Sequence, residues 1–338
     1  MSIASRLLPF AVFASAISPT ASASVPTADA PPAAFFEALR AADLRLATIA
    51  YRLTSANAPL CDRLQPQIGM PIQALTQFGA DARPSATVAF GFVSNIVVEA
   101  VVPGAPAARA GIVAGDAILS IAGRAQPALP SAGSAATPAD RDAAEAIVAD
   151  AAVGRPVMLE VQRAGRRMTI AVPGDAGCRS RFEVLLGSGL DASADGSVVQ
   201  IGERYFERFT DTEIAVIVAH ELAHNILRHR DRLDAAKVSR GLTAELGRNG
   251  RLIRQTEDDA DRLGVYLLAN AGYDPAAAPK FWREKGGAID GGLFRSRTHA
   301  ASKARATTLD PVVRAIVADG ARPIVPRELL ATRDRPLE

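Results

Sequence analysis

The sequence predicts an α+β protein in two parts, a strand-rich unit followed by a mainly helical unit with a small sheet. Three observations carry that expectation. From Ala86 to Pro173 the chain consists of short β-runs separated by Gly and Pro. After Gly177 comes EIAVIVAHELAHNILRH, a helix running to His229 that is apolar on nearly every side and so belongs at the centre of a core. A further helix, QTEDDADRLGVYLLANAGYDP, follows the Gly/Asn/Arg-rich stretch at Gly247 to Arg251. At 338 residues there is enough chain for two domains.

Composition narrows the partners. Apolar residues make up 49% and charged residues 22%, and the net charge is only +2. The basic residues are interspersed with acids, as in RDRLDAAK, so no basic face argues for nucleic acid.

Residues 1–23 read as a signal peptide: Arg6, then the apolar stretch Leu7 to Ile17, then Ala21-Ser22-Ala23 as the small-residue cleavage pattern. Pro9 and Pro19 disfavour the alternative of a buried N-terminal helix. Beyond Ala23 no apolar run is long enough to cross a bilayer. The mature chain is therefore expected to be exported, periplasmic or secreted, and soluble, with no transmembrane segment. Cys61 and Cys178 are the only cysteines, and in such a compartment they form either a disulfide or two buried thiols.

Residues 24–85 are expected to hold an amphipathic helix from Ala33 to about Thr54, with Phe36, Leu39, Ala42, Leu46 and Ile49 inward. A turn-rich connector then runs from Asn57 to Pro84. Within residues 86–173, IVVEAVV is a strand, Pro106 to Ala110 a helical turn, and Gly111 and Gly115 permit tight turns before the strand AILSIAG. A helix from Asp140 to Ala152 and a hairpin, PVMLEVQRAG with RRMTIAV, close the unit. The Pro/Ala/Gly/Ser run from Gln126 to Pro138 reads as a flexible insertion.

This order, with PGAPAARAGIVAGDAILSIAG from Pro103 to Gly123 and the final hairpin bearing Arg163 and Gly165, resembles a PDZ domain of the bacterial type. The resemblance implies a β-sandwich-like domain with a groove for an extended or C-terminal peptide segment. Its carboxylate-binding loop is placed at Ala89-Phe90-Gly91-Phe92, ahead of the first groove strand.

Residues 177–338 carry the chemistry. HELAH places His220 and His224 one turn apart on one helical face, where two imidazoles can grip a single ion, with Glu221 beside them. Zinc suits nitrogen and oxygen donors in a tetrahedral site, and a third protein ligand is required. Glu257 is the candidate, because Glu257, Asp261, Gly264 and Leu268 share a face of the second helix. Asp261 then supports a ligating imidazole from behind, and Gly264 lets the two helices approach. Of the other histidines, His229 is expected to point away from the ligand face and cap its helix.

HExxH followed by ExxxD resembles gluzincin metallopeptidase family forty-eight, which includes the HtpX-type, CaaX prenyl and BepA-like peptidases; this chain is similar to its secreted branch. The resemblance implies a zincin-type domain with a small edge-strand sheet and one zinc ion per chain. Protein or peptide substrates would be cut with Glu221 as the base. Thr298-His299 and Arg305 resemble the family's late His…Arg element, although Ala300 replaces the usual Pro. His299 would stabilise the oxyanion, and Arg305 would hold that loop. The strand Ser197, Val198, Val199, Gln200 and Ile201 is the expected edge for substrate. A serine peptidase is disfavoured, since Gly187-Ser188-Gly189 does not make GxSxG. The rival reading is a zinc-binding but latent chaperone or adaptor that acts through the PDZ unit.

Overall fold

Helix α1 (Ala33–Ala56) is the strut on which both halves of the molecule rest. One stripe of it is buried, and the stripe is divided between two cores. Phe36 and Leu39 join an aromatic cluster with Phe90 and Phe92, while Leu46, Ile49 and Leu53 enter the core around the HELAH helix. The computed structural model describes residues 31–187, 189–238, 247–289, 302–320 and 322–337. The expected signal peptide, residues 1–23, lies outside them, as does His299.

The stretch expected to be a connector holds β1 (Leu64–Gln67), β2 (Ile72–Ala74) and the start of α2 (Arg83–Phe90). After it come β3 (Ile96–Val98), α3 (Pro106–Arg109), β4 (Ala117–Ile121), β5 (Arg124–Ala125), α4 (Ala139–Ala149), β6 (Val157–Arg163) and β7 (Arg166–Val172). These strands form one six-stranded sheet in the order β2-β3-β4-β6-β7, with β5 on β4. Two expectations are corrected here. The sheet begins at Ile72, since Ile72 to Ala74 pair antiparallel with Val98 to Ile96, so a boundary at residue 86 cuts through α2. The unit is also one sheet covered by helices, not a sandwich of two.

The β6–β7 hairpin turns at Ala164 and Gly165, both with positive φ, as a two-residue turn matching strand twist requires. Arg163 reaches back to the wholly buried Asp116, Nε to Oδ1 at 2.6 Å, and to the Gly111 carbonyl. Asp116 also accepts the amide of Val113 at 3.0 Å, so a single carboxylate fixes the GIVAGD turn to the hairpin. The run from Gln126 to Pro138 is not a free insertion. The Arg83 guanidinium holds the carbonyls of Ser131 and Ser134, and Thr137 donates its amide to the Thr76 carbonyl.

The chain leaves this sheet through β8 (Asp175–Cys178), which pairs with β1. Next to that ribbon Cys61 and Cys178 are bonded, with Cα atoms 5.4 Å apart across 117 residues of sequence. A second sheet follows, from β9 (Arg181–Leu185), β10 (Ala192–Ala194) and β11 (Val198–Gly202), in the order β10-β11-β9.

Helices make up the rest: α5 (Arg204–Arg208), α6 (Asp211–Ile226), α7 (His229–Ala235), α8 (Gly247–Asn270), α9 (Ala277–Glu284), α10 (Gly286–Ile289), α11 (Ser302–Asp319) and α12 (Arg327–Leu330). Thr210 and Glu213 cap α6 reciprocally: the Glu213 amide donates to Thr210 Oγ1, and the Thr210 amide to Glu213 Oε2. Ile214, Ile217, Val218 and Leu222 are buried around the helix, which makes α6 the axis of this half. Among the described residues no helix is long and apolar enough to cross a membrane.

Candidate functional site

Helices α6 and α8 pack side by side because Gly264 carries no side chain. A Cβ built there would lie 3.4 Å from the His220 amide nitrogen, already in contact, so a side chain that extends beyond Cβ would force the helices apart. That contact sets the HELAH turn against the acidic face of α8. His220 and His224 bring their Nε2 atoms to 3.2 Å from each other. Glu257 completes the triangle, with Oε2 3.2 Å from His220 Nε2 and Oε1 3.6 Å from His224 Nε2. Three donors at metal–ligand bonds of about 2.0–2.1 Å around a tetrahedral ion would lie roughly 3.3 Å apart. The nearest contacts, one from each Glu257 oxygen, are close to that spacing, and one donor atom from each residue lies within 4.8 Å of the others, a group that could hold a metal ion.

The imidazoles are held from behind. His220 Nδ1 lies 2.9 Å from Asp261 Oδ1, which accepts the Nδ1 proton and turns Nε2 toward the shared point. Arg305 Nε donates to Asp261 Oδ2 at 2.6 Å, a second Arg305 nitrogen bonds Oδ1, and the guanidinium lies 3.3 Å from the centre of the Trp282 ring. Arg305 is thus buried on α11 with a committed partner, not on the surface. Burial alone would raise the Asp261 carboxyl, but Arg305 and His220 hold it down at about 2. Burial works against the His220 cation, yet hydrogen bonds to Asp261 and Glu257 outweigh it and push His220 up to about 10. A metal ion at this point would compete with that proton.

His229 does something its spacing did not foretell. The helix expected to run through His229 ends at Ile226, and Arg228 takes a left-handed conformation, φ 53°. That position is uncommon for a residue with a side chain, and Arg228 is anchored there by ion pairs to Asp62 and Asp334. The reversal brings His229 back under the site, where its Nδ1 meets His224 Nδ1 at 2.9 Å. Burial first, and the neighbouring His224 second, push the His229 cation well down. The i+5 spacing on a continuous helix hid this contact, and only a break after Ile226 could have revealed it. Asp259, between the two acids that face the site, is buried on α8 as well.

The edge-strand assignment is also corrected. Val198 to Ile201 lie in β11, the central strand, and Ser197 directly precedes it. Val198, Val199, Gln200 and Ile201 pair with β9, and Val199 to Ile201 pair with β10 as well, so both hydrogen-bonding sides of β11 are filled. The edge next to the His220, His224 and Glu257 cluster is β10. Ala192 to Ala194 line a cavity of about 290 Å³ together with His220, Glu221 and His224. Asn225 sets that distance: its Oδ1 accepts the Gly196 amide and its Nδ2 donates to Ser180, which ties the last turn of α6 to the sheet. Glu221 stands in the same cavity and is buried except for 9% of its surface.

In the first sheet, Ala89 and Phe90 end helix α2 and Gly91 is its left-handed cap, so Ala89 to Phe92 are not a loop ahead of a groove strand. The segment that leads into the edge strand β2 is Ile68 to Pro71. Its carbonyls at Ile68, Gly69 and Pro71 accept the amides of Ala107, Val102 and Glu99. No curated protein matches the chain. A family model for the PDZ domain matches residues 97–125, from β3 to β5, and such domains bind peptide segments along a sheet edge.

Proposed function

We propose that the chain is an exported zinc-dependent endopeptidase of the zincin type that acts on envelope proteins, with the PDZ unit recruiting substrate. The observation that carries this reading is the cluster of His220, His224 and Glu257, with nearest donor contacts of 3.2 to 3.6 Å, with Glu221 beside it and the edge strand β10 along one wall. Zinc held by those three side chains would lower the pKa of a water molecule and polarise a scissile carbonyl. Glu221 accepts the proton of the attacking water and returns it to the leaving amine. The substrate lies extended against β10, with its backbone bonded to the strand edge. Asp261 and Arg305 keep His220 in the tautomer that presents Nε2. His299, outside the described residues, is assigned to the developing oxyanion.

The test separates base from ligand. Glu221→Gln is expected to abolish casein cleavage while retaining about one zinc per chain, because a base is not a ligand. Glu257→Ala is expected to lose both. Full zinc occupancy in Glu257→Ala would remove it from the ligand set, and cleavage by Glu221→Gln would overturn the mechanism. The PDZ match itself favours the adaptor reading. That reading requires the parent chain to bind zinc yet leave casein intact.

A further inference from the structure

Away from the metal triad, a cavity of about 440 Å³ opens where α1, β2, α4 and β9 meet. Two of its walls, β2 and β9, are terminal strands of their respective sheets, and α4 runs beside β2. Apolar side chains, among them Phe35, Leu39, Ile72 and Val148, cover much of the rest. The polar lining is unbalanced: it holds four carboxylates, Asp43, Glu99, Glu145 and Glu183, against two guanidiniums, Arg141 and Arg181. Both guanidiniums are already committed. Arg141 pairs with Asp142 and Glu183, and Arg181 with Asp142, Glu145 and Glu183.

Asp43 and Glu99 face each other as a hydrogen-bonded pair, and the side chain that donates to them is the neutral Gln73. Gln73 donates to Glu99 Oε2 at 3.0 Å and reaches Asp43 at 3.5 Å. Glu99 is 1% and Gln73 5% exposed, yet Glu99 Oε1 and Gln73 Oε1 receive no donor among the described residues. A buried carboxyl pair that holds together only by keeping a proton, beside an amide oxygen without a donor, inside an acid-rich cavity, is a place where a cationic donor from outside can take the proton's part.

We propose that this cavity binds an extended polypeptide segment through a lysine or arginine side chain whose cation sits against Asp43 and Glu99. The segment adds to the β2 edge beside α4, so the inference rests on reading that edge as the recruiting groove. An ammonium or guanidinium group supplies the missing donors and offsets the excess negative charge. Without it, burial holds the Asp43 and Glu145 carboxyls up at about 7, and burial with the Asp43 charge holds Glu99 well above the usual range. A free terminal carboxylate placed among these groups would add repulsion. The groove therefore selects a basic side chain in preference to a chain end.

Fluorescence anisotropy with the full chain tests this, using four labelled extended decapeptides. Three are blocked as amides and carry lysine, norleucine or glutamate at one central position; the fourth is the norleucine peptide with a free carboxylate. The lysine peptide is expected to bind at least about tenfold tighter than norleucine, and glutamate weakest, as for a desolvated charge pair. Glu99→Gln and Asp43→Asn are each expected to cut the lysine advantage to below about threefold while leaving norleucine affinity unchanged. Equal binding of lysine and norleucine peptides overturns the cationic subsite and leaves groove recruitment standing. A preference for the free carboxylate without any lysine effect does the same. No binding by any of the four overturns both.

Discussion

His224 and His229 face each other through Nδ1 at 2.9 Å, so one proton lies between the two rings. If His224 gives Nε2 to a metal, that proton must sit on its own Nδ1, and His229 is the acceptor. A buried His229 whose cation is strongly disfavoured is suited to accept. His229→Leu is expected to weaken zinc binding by roughly 10–100-fold in chelator competition, the range for groups that orient a ligating imidazole. His229→Gln, which keeps an acceptor, is expected to recover part of the loss. Unchanged affinity in His229→Leu would reduce the contact to packing. At this scale the sequence was most readable where chemistry and periodicity coincide: His220, His224, Glu257 and Asp261 meet because spacings of four place them on facing stripes. His229 was unreadable because its position depends on a left-handed Arg228 and on Asp62 and Asp334, partners distant in sequence.

Between elements, the α6–α8 contact sets the geometry of the site. Both helices are recognisable from periodicity alone, but their separation is set by Gly264 under the His220 backbone. Gly264→Ala adds a methyl at ordinary contact distance and is expected to be tolerated, helped by the better helix propensity of alanine. Gly264→Val is expected to cost about 1–3 kcal/mol as an overpacked interface. It should also lower zinc occupancy, since Glu257 and Asp261 move off with α8. Urea unfolding together with zinc content measures both, and a valine variant with parental stability and full zinc would show that the helices have room to spare. Sheet order was less legible than the helices. Val198 to Ile201 have the apolar content of a strand, but nothing local distinguishes a central strand from an edge. The three-residue Ala192-Ser193-Ala194 has too weak a pattern to announce itself, although it is the strand that faces the site. Ile72 to Ala74 escaped notice for the same reason: a short strand is defined by its partner Ile96 to Val98.

Across the whole molecule, α1 packs against both larger sheets, and it also places an acid where they meet. Its amphipathic stripe was readable, but the sequence could not show that Asp43 would face Glu99 of the first sheet, Glu145 of α4 and Glu183 of the second. These charges make folding depend on pH in a definite direction. Burial raises the Asp43 carboxyl to about 7; Glu145 and Glu183 add to the rise, while Glu99 and Arg141 oppose it. Burial likewise raises Glu145 to about 7, against Arg141 and Arg181. In the unfolded chain such groups release their protons near pH 4. Between roughly pH 4 and pH 7 the folded state therefore binds more protons than the unfolded state, and stability falls as pH rises through that window. This is opposite in sign to Asp261, whose lowered carboxyl contributes stability above about pH 4 that is lost as pH falls through about 2. Asp43→Asn removes one raised carboxyl at little change in shape. Its thermal stability relative to the parent is expected to improve steadily across roughly pH 4–7 and then level off. A difference that stays constant over this range would mean that Asp43 ionises as freely in the folded protein as in the unfolded chain.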